Sequence, residues 1–395
     1  MSASAARAAT GTVIGMTDTD YPLVADVITA SVTAYGANDA GVRLAHTDSH
    51  AQAGPAPLAV ADREQREAAL DTLLAPGATR PAGAGRRAVA EEPDPYRTCF
   101  ERDLDRIKYA RPFRRLAGKA QVFVAPDDIH LRTRMTHALE VAQVALSIAQ
   151  ATGLNTALTE AIALGHDCGH GPGGHASEEA FAPYLPGGYD HAVYGADVVL
   201  AEFNLCAETL DGIRHHSWRL PAPSTPEGEA VSVSDRLAYV AHDVDDAIRA
   251  GIIRPGDLPE IVRERLGTRQ SQQIRALVNA TISATVRTGR VSIEADVAEA
   301  LDALRRFNYE RIYHRPAASE QARRVVRTLR ALVEYYADQP SRVPAIASGE
   351  WPAPASGSPE AYALAVRYVS GMTDRFAVSQ AAGLGLSSSD LPLPA

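Results

Sequence analysis

The densest chemistry in the chain stands at residues 165–175, GHDCGHGPGGH, where three histidines and five glycines share eleven positions. Imidazole nitrogens and carboxylates are ligands for divalent ions, and glycine lets a loop take backbone conformations that other residues resist. A packed core has little use for such a segment. In chain order, His137, the pair His166-Asp167 and Asp235 supply two imidazoles and two carboxylates. Their formal charge of about −2 offsets a divalent cation, and an octahedral ion held by four ligands keeps about two positions for water or phosphate oxygen. Such a centre activates water and polarises a phosphoryl group. An HD dipeptide alone says little, because His242-Asp243 is a second one, and histidines near helix ends are often surface residues. The weight lies in the ordered set and the density around it.

The elements that must carry these residues read as helices. THALEVAQVALSIAQATG places Leu139, Ala142, Leu146 and Ala149 on one face, with Gly153 as the stop. A helical run from Thr156 to Leu164 then meets the glycines of 165–174, which force a loop. Ser232 or Ser234 is positioned to cap SDRLAYVAHDVDDAIRAG, which Gly251 ends. His137 thus sits near the start of one helix, His166-Asp167 at the end of the next, and Asp235 in the first turn of a third. Helical patterns follow at 292–310, 318–338 and 358–380. Alternating strands are scarce, so the fold is expected to be mainly α. Asp235, Tyr239, Asp243 and Asp246 share one helical face. A solvated acidic face is the common reading of such a stripe, but Leu237, Ala238, Val240 and Ala241 make the same helix largely apolar. His175 and Glu178, three apart, share a face if their segment is helical.

Composition bounds the setting. The 395 residues are 46% hydrophobic, enough for a sizeable core, and the net charge of −9 argues against a dedicated nucleic-acid coat. Cys99, Cys168 and Cys206 show no CxxC spacing, so neither a disulfide framework nor a structural zinc site is expected and a reducing cytoplasm is favoured. No membrane span is expected, and MSASAARAATGTV lacks the order of a signal peptide. Residues 1–62 read as an N-terminal extension in which TVIGMTDTDYPLVADVITASVTAYG fits a strand or a helix. APGATRPAGAGRRAVAEEPDPYR reads as an extended or mobile segment.

RRLAGKAQVF, RTRMTHALEVAQ, ALGHDCGHGPGGHASEEAF and DRLAYVAHDVDDA, in that order, resemble the deoxynucleoside triphosphate triphosphohydrolases, the bacterial dGTPase-like branch of the HD superfamily. YRTCFERDLDRIKYARPFRRL, FNYERIYHRP and RYVSGMTDRFA extend the likeness to roughly residues 63–380. The resemblance implies an HD-domain helical core over 63–285 and a C-terminal helical elaboration over 286–395 packed on it. It implies hydrolysis of a dNTP to deoxynucleoside and inorganic triphosphate, with a divalent ion (Mn, Mg, Fe, Co or Ni) on His137, His166, Asp167 and Asp235. His170, His175, Glu178 and His191 are implied around the scissile bond, with His175 and Glu178 as the acid/base pair. Gln121, Tyr239, Asp243 and Tyr313 match sugar contacts, and Arg115, Arg134 and Arg236 match polyphosphate contacts. Ala192, after His191, departs from the Asn or Glu common in relatives, and Ala120 replaces a common threonine. The family implies a homo-oligomer and a regulatory nucleotide or single-stranded nucleic acid as a further partner. Two alternatives remain: an HD hydrolase of another nucleotide phosphoester, or a nucleotide- or nucleic-acid-binding regulator with weak hydrolysis.

Overall fold

The computed structural model describes residues 36–37, 43–44, 53–54, 58–83, 85–122 and 130–386. The chain divides into two compact units, Met1–Val60 and Ala61–Ala395. In the first, Gly36–Ala37 pairs antiparallel with Arg43–Leu44; residues 12–35, readable as strand or helix, lie outside the described residues. The second unit is helical. Among the described residues no helix is long and apolar enough to cross a membrane.

The helices of seven residues or more are α1 (Arg63–Asp71), α2 (Cys99–Tyr109), α3 (Arg134–Thr152), α4 (Thr156–Gly165), α5 (His175–Phe181), α6 (Ala207–Arg214), α7 (Pro226–Arg249), α8 (Gln270–Thr288), α9 (Ala295–Asn308), α10 (Pro316–Asp338), α11 (Pro359–Ser370) and α12 (Asp374–Gly383). Thr133 caps α3 reciprocally with Thr136, and Gly153 closes it at φ 71°. The buried face of α3 is Ala138, Val141, Ala142, Ala145, Ile148 and Ala149, whereas Leu139 is 51% exposed. The face expected through Leu139 is therefore rotated, because Arg134 and His137 point inward and set the phase.

The expected start of α7 is also corrected. Thr225, not Ser232 or Ser234, caps it, with Pro226 in the first turn. Ser234 instead returns its hydroxyl to the Ala230 carbonyl at 2.6 Å, as a mid-helix serine does. Asp235 therefore stands inside a long helix rather than in a first turn. The pattern at 292–310 ends as α9 at Asn308 and continues in a wider π turn, Tyr309–Tyr313. The stretch 358–380 is two helices, α11 and α12, with Thr373 capping the second.

Three apolar clusters hold these elements. One joins α3, α7, α8 and α9 through Ile148, Val240, Leu277 and Leu304. A second joins α2, α3, α4, α6 and α7 through Phe100, Val141, Ile162, Ile213 and Ala238. The third joins α5 to α10, α11 and α12 through Phe181, Leu332, Val366 and Ala377. The Pro- and Gly-rich stretch after α1, expected to be extended or mobile, holds no helix among its described residues and is fastened to the core. Thr79 donates from both N–H and hydroxyl to Glu227, and Arg87 pairs with the fully buried Asp103 at 2.7 Å.

Candidate active site

His137 enters from the first turn of α3, His166 closes α4 and Asp167 follows it, while Asp235 descends from the middle of α7. Two helix ends and a helix side meet, rather than three ends. His137 Nε2 lies 3.0 Å from Asp235 Oδ1, and His166 Nε2 lies 3.7 Å from the same oxygen and 3.5 Å from Asp167 Oδ1. His166 gives its Nδ1–H to the Ala163 carbonyl at 2.6 Å, leaving Nε2 buried and without a partner. A buried imidazole lone pair facing carboxylates fits a cation, and a ring fixed through its other nitrogen is the usual outer support of a metal ligand. His137, His166 and Asp235 have ligand atoms close enough to share one ion, with Asp167 beside His166.

Charges around Asp167 keep it ionised. Arg134 Nη1 donates to Asp167 Oδ2 at 2.7 Å with both side chains buried. Burial opposes ionisation, yet Arg134, His166 and His170 hold this carboxyl well below the usual range. Asp235 is likewise held low against burial by the His137 hydrogen bond and by His166. Arg134 Nε and Nη2 remain without a protein partner at the wall of the cleft.

The glycine-rich loop places His170 Nε2 3.2 Å from Asp167 Oδ1 and stacks its ring on His191 at 3.7 Å. Gly169 permits this packing: a Cβ there would stand 2.0 Å from the His191 carbonyl oxygen and 2.5 Å from Gly195 N. Glu178 shares helix α5 with His175, but its carboxylate binds His191 Nδ1 and accepts from Arg219 Nη2 at 3.1 Å. Burial opposes its charge, and the His191 bond brings the Glu178 carboxyl down to about 2. His175 instead projects into the open cleft with no hydrogen bond on its ring. The surrounding protein, then Arg134 and His191, push its pKa down to about 4. The expected pairing of His175 with Glu178 is thus replaced by a Glu178–His191 couple.

A cleft of about 520 Å³ runs from these groups past Tyr239 to Asp243 and Tyr313, with Gln121 and Arg236 on its walls. The Tyr313 hydroxyl donates to Asp243 Oδ2, while Asp243 Oδ1 and Gln121 Oε1 are buried and unbonded. Burial pushes the Asp243 carboxyl up to about 7. Arg236 lies over the Trp218 ring at 3.3 Å. Arg115 is not in the cleft; it lines a separate hollow of about 80 Å³ with Lys119 and Cys168. Asp246 is drawn away by Arg132 at 2.5 Å, and His242, of the second HD dipeptide, lies 3.1 Å from Glu140. That dipeptide is structural on its histidine side.

Several residues that line the site escaped the sequence reading. His216, Trp218 and Arg219 come from the loop after α6, and Arg305 comes from α9. The doublet His215-His216, one loop ahead of the helix-capping Thr225-Pro226, was an available signal for the first. Lys119, fully buried, donates to the carbonyls of His170 and Ser370, and burial brings its pKa to about 8. Nothing in its neighbourhood of the sequence marks it.

Residues 134–240 match the HD domain model and 291–382 the phosphohydrolase-associated domain model. A deoxyguanosinetriphosphate triphosphohydrolase-like protein of Caldanaerobacter subterraneus subsp. tengcongensis is 39% identical over 322 residues, 80% of this chain and 93% of the relative. The chain belongs to this HD-domain, dGTP triphosphohydrolase-like family. Relatives with the same description are 34% identical in Syntrophus aciditrophicus, over 80% of this chain and 94% of that one, and 40% identical in Clostridium perfringens strain SM101, over 63% and 77%. Within this HD phosphohydrolase family the first domain match opens at Arg134 and closes just past Tyr239, so it contains His137, His166, Asp167 and Asp235.

Proposed function

We propose that this HD phosphohydrolase is a dNTP triphosphohydrolase, releasing deoxynucleoside and inorganic triphosphate. The observation that carries the reading is the continuity of one cleft. His137, Asp167 and Asp235, with His166 buried behind them, line the same cleft as Tyr239, Asp243 and Tyr313. An aromatic wall next to a buried carboxylate suits a sugar lacking one hydroxyl, and the description of the relatives supports a deoxynucleotide. Asp243 Oδ1 and Gln121 Oε1, buried and unbonded, are acceptors available to the sugar.

A divalent ion on the ligand set would supply Lewis-acid polarisation of the α-phosphate and acidify water. The protein's own groups do the remainder. The free guanidinium nitrogens of Arg134 and the Arg236 guanidinium face where phosphates would lie, and such forks bind phosphate oxygens in pairs. His170 flanks Asp167 as a phosphate contact. His175 reaches into the cleft as the donor to the leaving 5′-oxygen; burial first, then Arg134 and His191, lower its pKa, and an incoming polyphosphate would oppose the effect of the two positive neighbours. Glu178 holds His191 behind it.

Incubation with each dNTP and Mn²⁺, with products separated by ion exchange, is expected to yield triphosphate and deoxynucleoside. Orthophosphate or pyrophosphate as the primary product would overturn this assignment.

A further inference from the structure

Among the described residues, no carboxylate pairs with the buried ammonium of Lys119, which is 3% exposed. Two of its three N–H groups go to neutral acceptors, the carbonyls of His170 and Ser370, the second at 2.9 Å. Asp374, the acid whose charge reaches it, is already engaged: its two oxygens accept from Ala120 N at 2.9 Å and Gly173 N at 2.8 Å. A buried charge held by carbonyls alone is costly unless a counter-charge comes to it. The third N–H is left for the hollow of about 80 Å³ that Lys119 lines behind the glycine-rich loop.

The mouth of that hollow is cationic as well. Arg115 lines it, and among the described residues no protein acceptor meets its guanidinium. A Cβ at Gly371 would stand 2.7 Å from Arg115 Nη1, so the guanidinium lies close over bare backbone. Burial and then Arg111 hold it below its usual range, and Glu202 opposes them only in part. Glu202, the one carboxylate of the lining, is taken by Arg367, whose Nη2 donates to it at 3.0 Å while its guanidinium lies over the Trp351 ring at 4.8 Å. Arg115 and Lys119 are thus two uncompensated cations facing one space, where an anion is attracted by both. A water needs about 10–15 Å³ of such space. The hollow therefore admits one tetrahedral oxyanion but not a nucleoside, since pockets for molecules of that size run to about 300 Å³ or more.

We propose that this hollow is an oxyanion site that takes a single phosphate group, held between the remaining N–H of Lys119 and the guanidinium of Arg115. It is separate from the cleft: Gly169 lines the hollow, whereas the next residue, His170, lines the cleft. A guanidinium edge offers paired donors to two phosphate oxygens, and the ammonium adds a point charge. The seated group touches the back of the glycine-rich loop and, through Lys119, reaches the His170 carbonyl. Phosphate-bearing anions are what a phosphohydrolase consumes and releases, so an occupant of this class is always at hand.

Calorimetric titration of the full chain with orthophosphate provides the test. Wild type is expected to bind it. Arg115→Ala, at an exposed position and with its fold checked by circular dichroism, is expected to bind about 10- to 100-fold more weakly, the worth of one charge-assisted hydrogen bond. Arg236→Ala, on the wall of the cleft, is expected to keep the wild-type affinity. Absence of binding by wild type at millimolar phosphate overturns the proposal, as does an affinity that survives Arg115→Ala. Loss in Arg236→Ala in place of Arg115→Ala puts the anion in the cleft and overturns it equally. A parallel titration with inorganic triphosphate separates the sources. Arg115-dependent binding of both probes supports a seat for the end of a phosphate chain; Arg115-dependent binding of orthophosphate alone supports a seat for the free ion. Triphosphate release from a dNTP is read separately, so failure of this site leaves the proposed reaction standing.

Discussion

At the scale of the residue, the carboxylates of Asp167 and Asp235 differ in what their removal leaves behind. Asp167→Ala and Asp235→Ala should both reduce turnover to background. Only the first strands a buried guanidinium, because Arg134 pairs with Asp167 alone at 2.7 Å. Breaking such a pair costs about 3–5 kcal/mol, so metal-free thermal melts should drop sharply for Asp167→Ala and little for Asp235→Ala. Asp243 gives a pH signature. Its folded pKa is raised to about 7 by burial, above about 3.9 in the unfolded chain. The stability it contributes is therefore complete below the unfolded value and lost as pH rises to 7. Asp243→Asn, with no proton to lose, should melt above wild type at pH 8, by no more than about 4 kcal/mol in stability, and the difference should vanish near pH 4. The same change should lower kcat/KM about 10- to 100-fold if Asp243 holds the sugar. The cluster of His137, His166, Asp167 and Asp235 was legible because its residue types and glycine context are rare in cores. His216, Trp218 and Arg305 were not, since each is a lone position whose approach to the cleft depends on a loop or a neighbouring helix.

At the scale of the element, the glycine-rich loop depends on backbone meeting backbone. At Gly169 an added methyl would collide with the His191 carbonyl and Gly195 N, neither of which can swing away. Gly169→Ala should displace the His170–His191 stack and cut kcat by about 100-fold, the scale of an ångström's misplacement. Gly187→Ala, where a Cβ meets nothing within 4 Å, should behave as wild type in the same assay. Helix existence was readable from periodicity, but the start of α7 was not read correctly. The polar Ser232 and Ser234 resembled caps, while Thr225-Pro226 with Glu227 and Glu229 behind it carried the real signal. The phase of α3 escapes periodicity for a related reason: Leu139 fits the apolar spacing, but Arg134 and His137 fix the inward positions and leave it exposed.

At the scale of the whole helical unit, the glycine-rich loop is lashed to the C-terminal helices. Asp374 accepts from Ala120 N at 2.9 Å and Gly173 N at 2.8 Å, and Lys119 ties the His170 carbonyl to that of Ser370. Asp374→Ala should cost about 2–3 kcal/mol in urea unfolding and lower kcat with it, because the loop loses its anchor. This long-range lashing was not legible, since partners more than 200 positions apart carry no mutual spacing. The π turn Tyr309–Tyr313 joins the same parts differently. Behind it lies α9, packed in one apolar cluster; ahead lies α10, packed in another; on it sits Tyr313, bonded to Asp243. One residue fewer would return the turn to ordinary α geometry and rotate everything beyond it by about 100°. Glu310 and Arg311 are exposed, so their identities are free to drift while their number is not. The segment acts as a spacer of fixed length, intolerant of deletion where it is most tolerant of substitution.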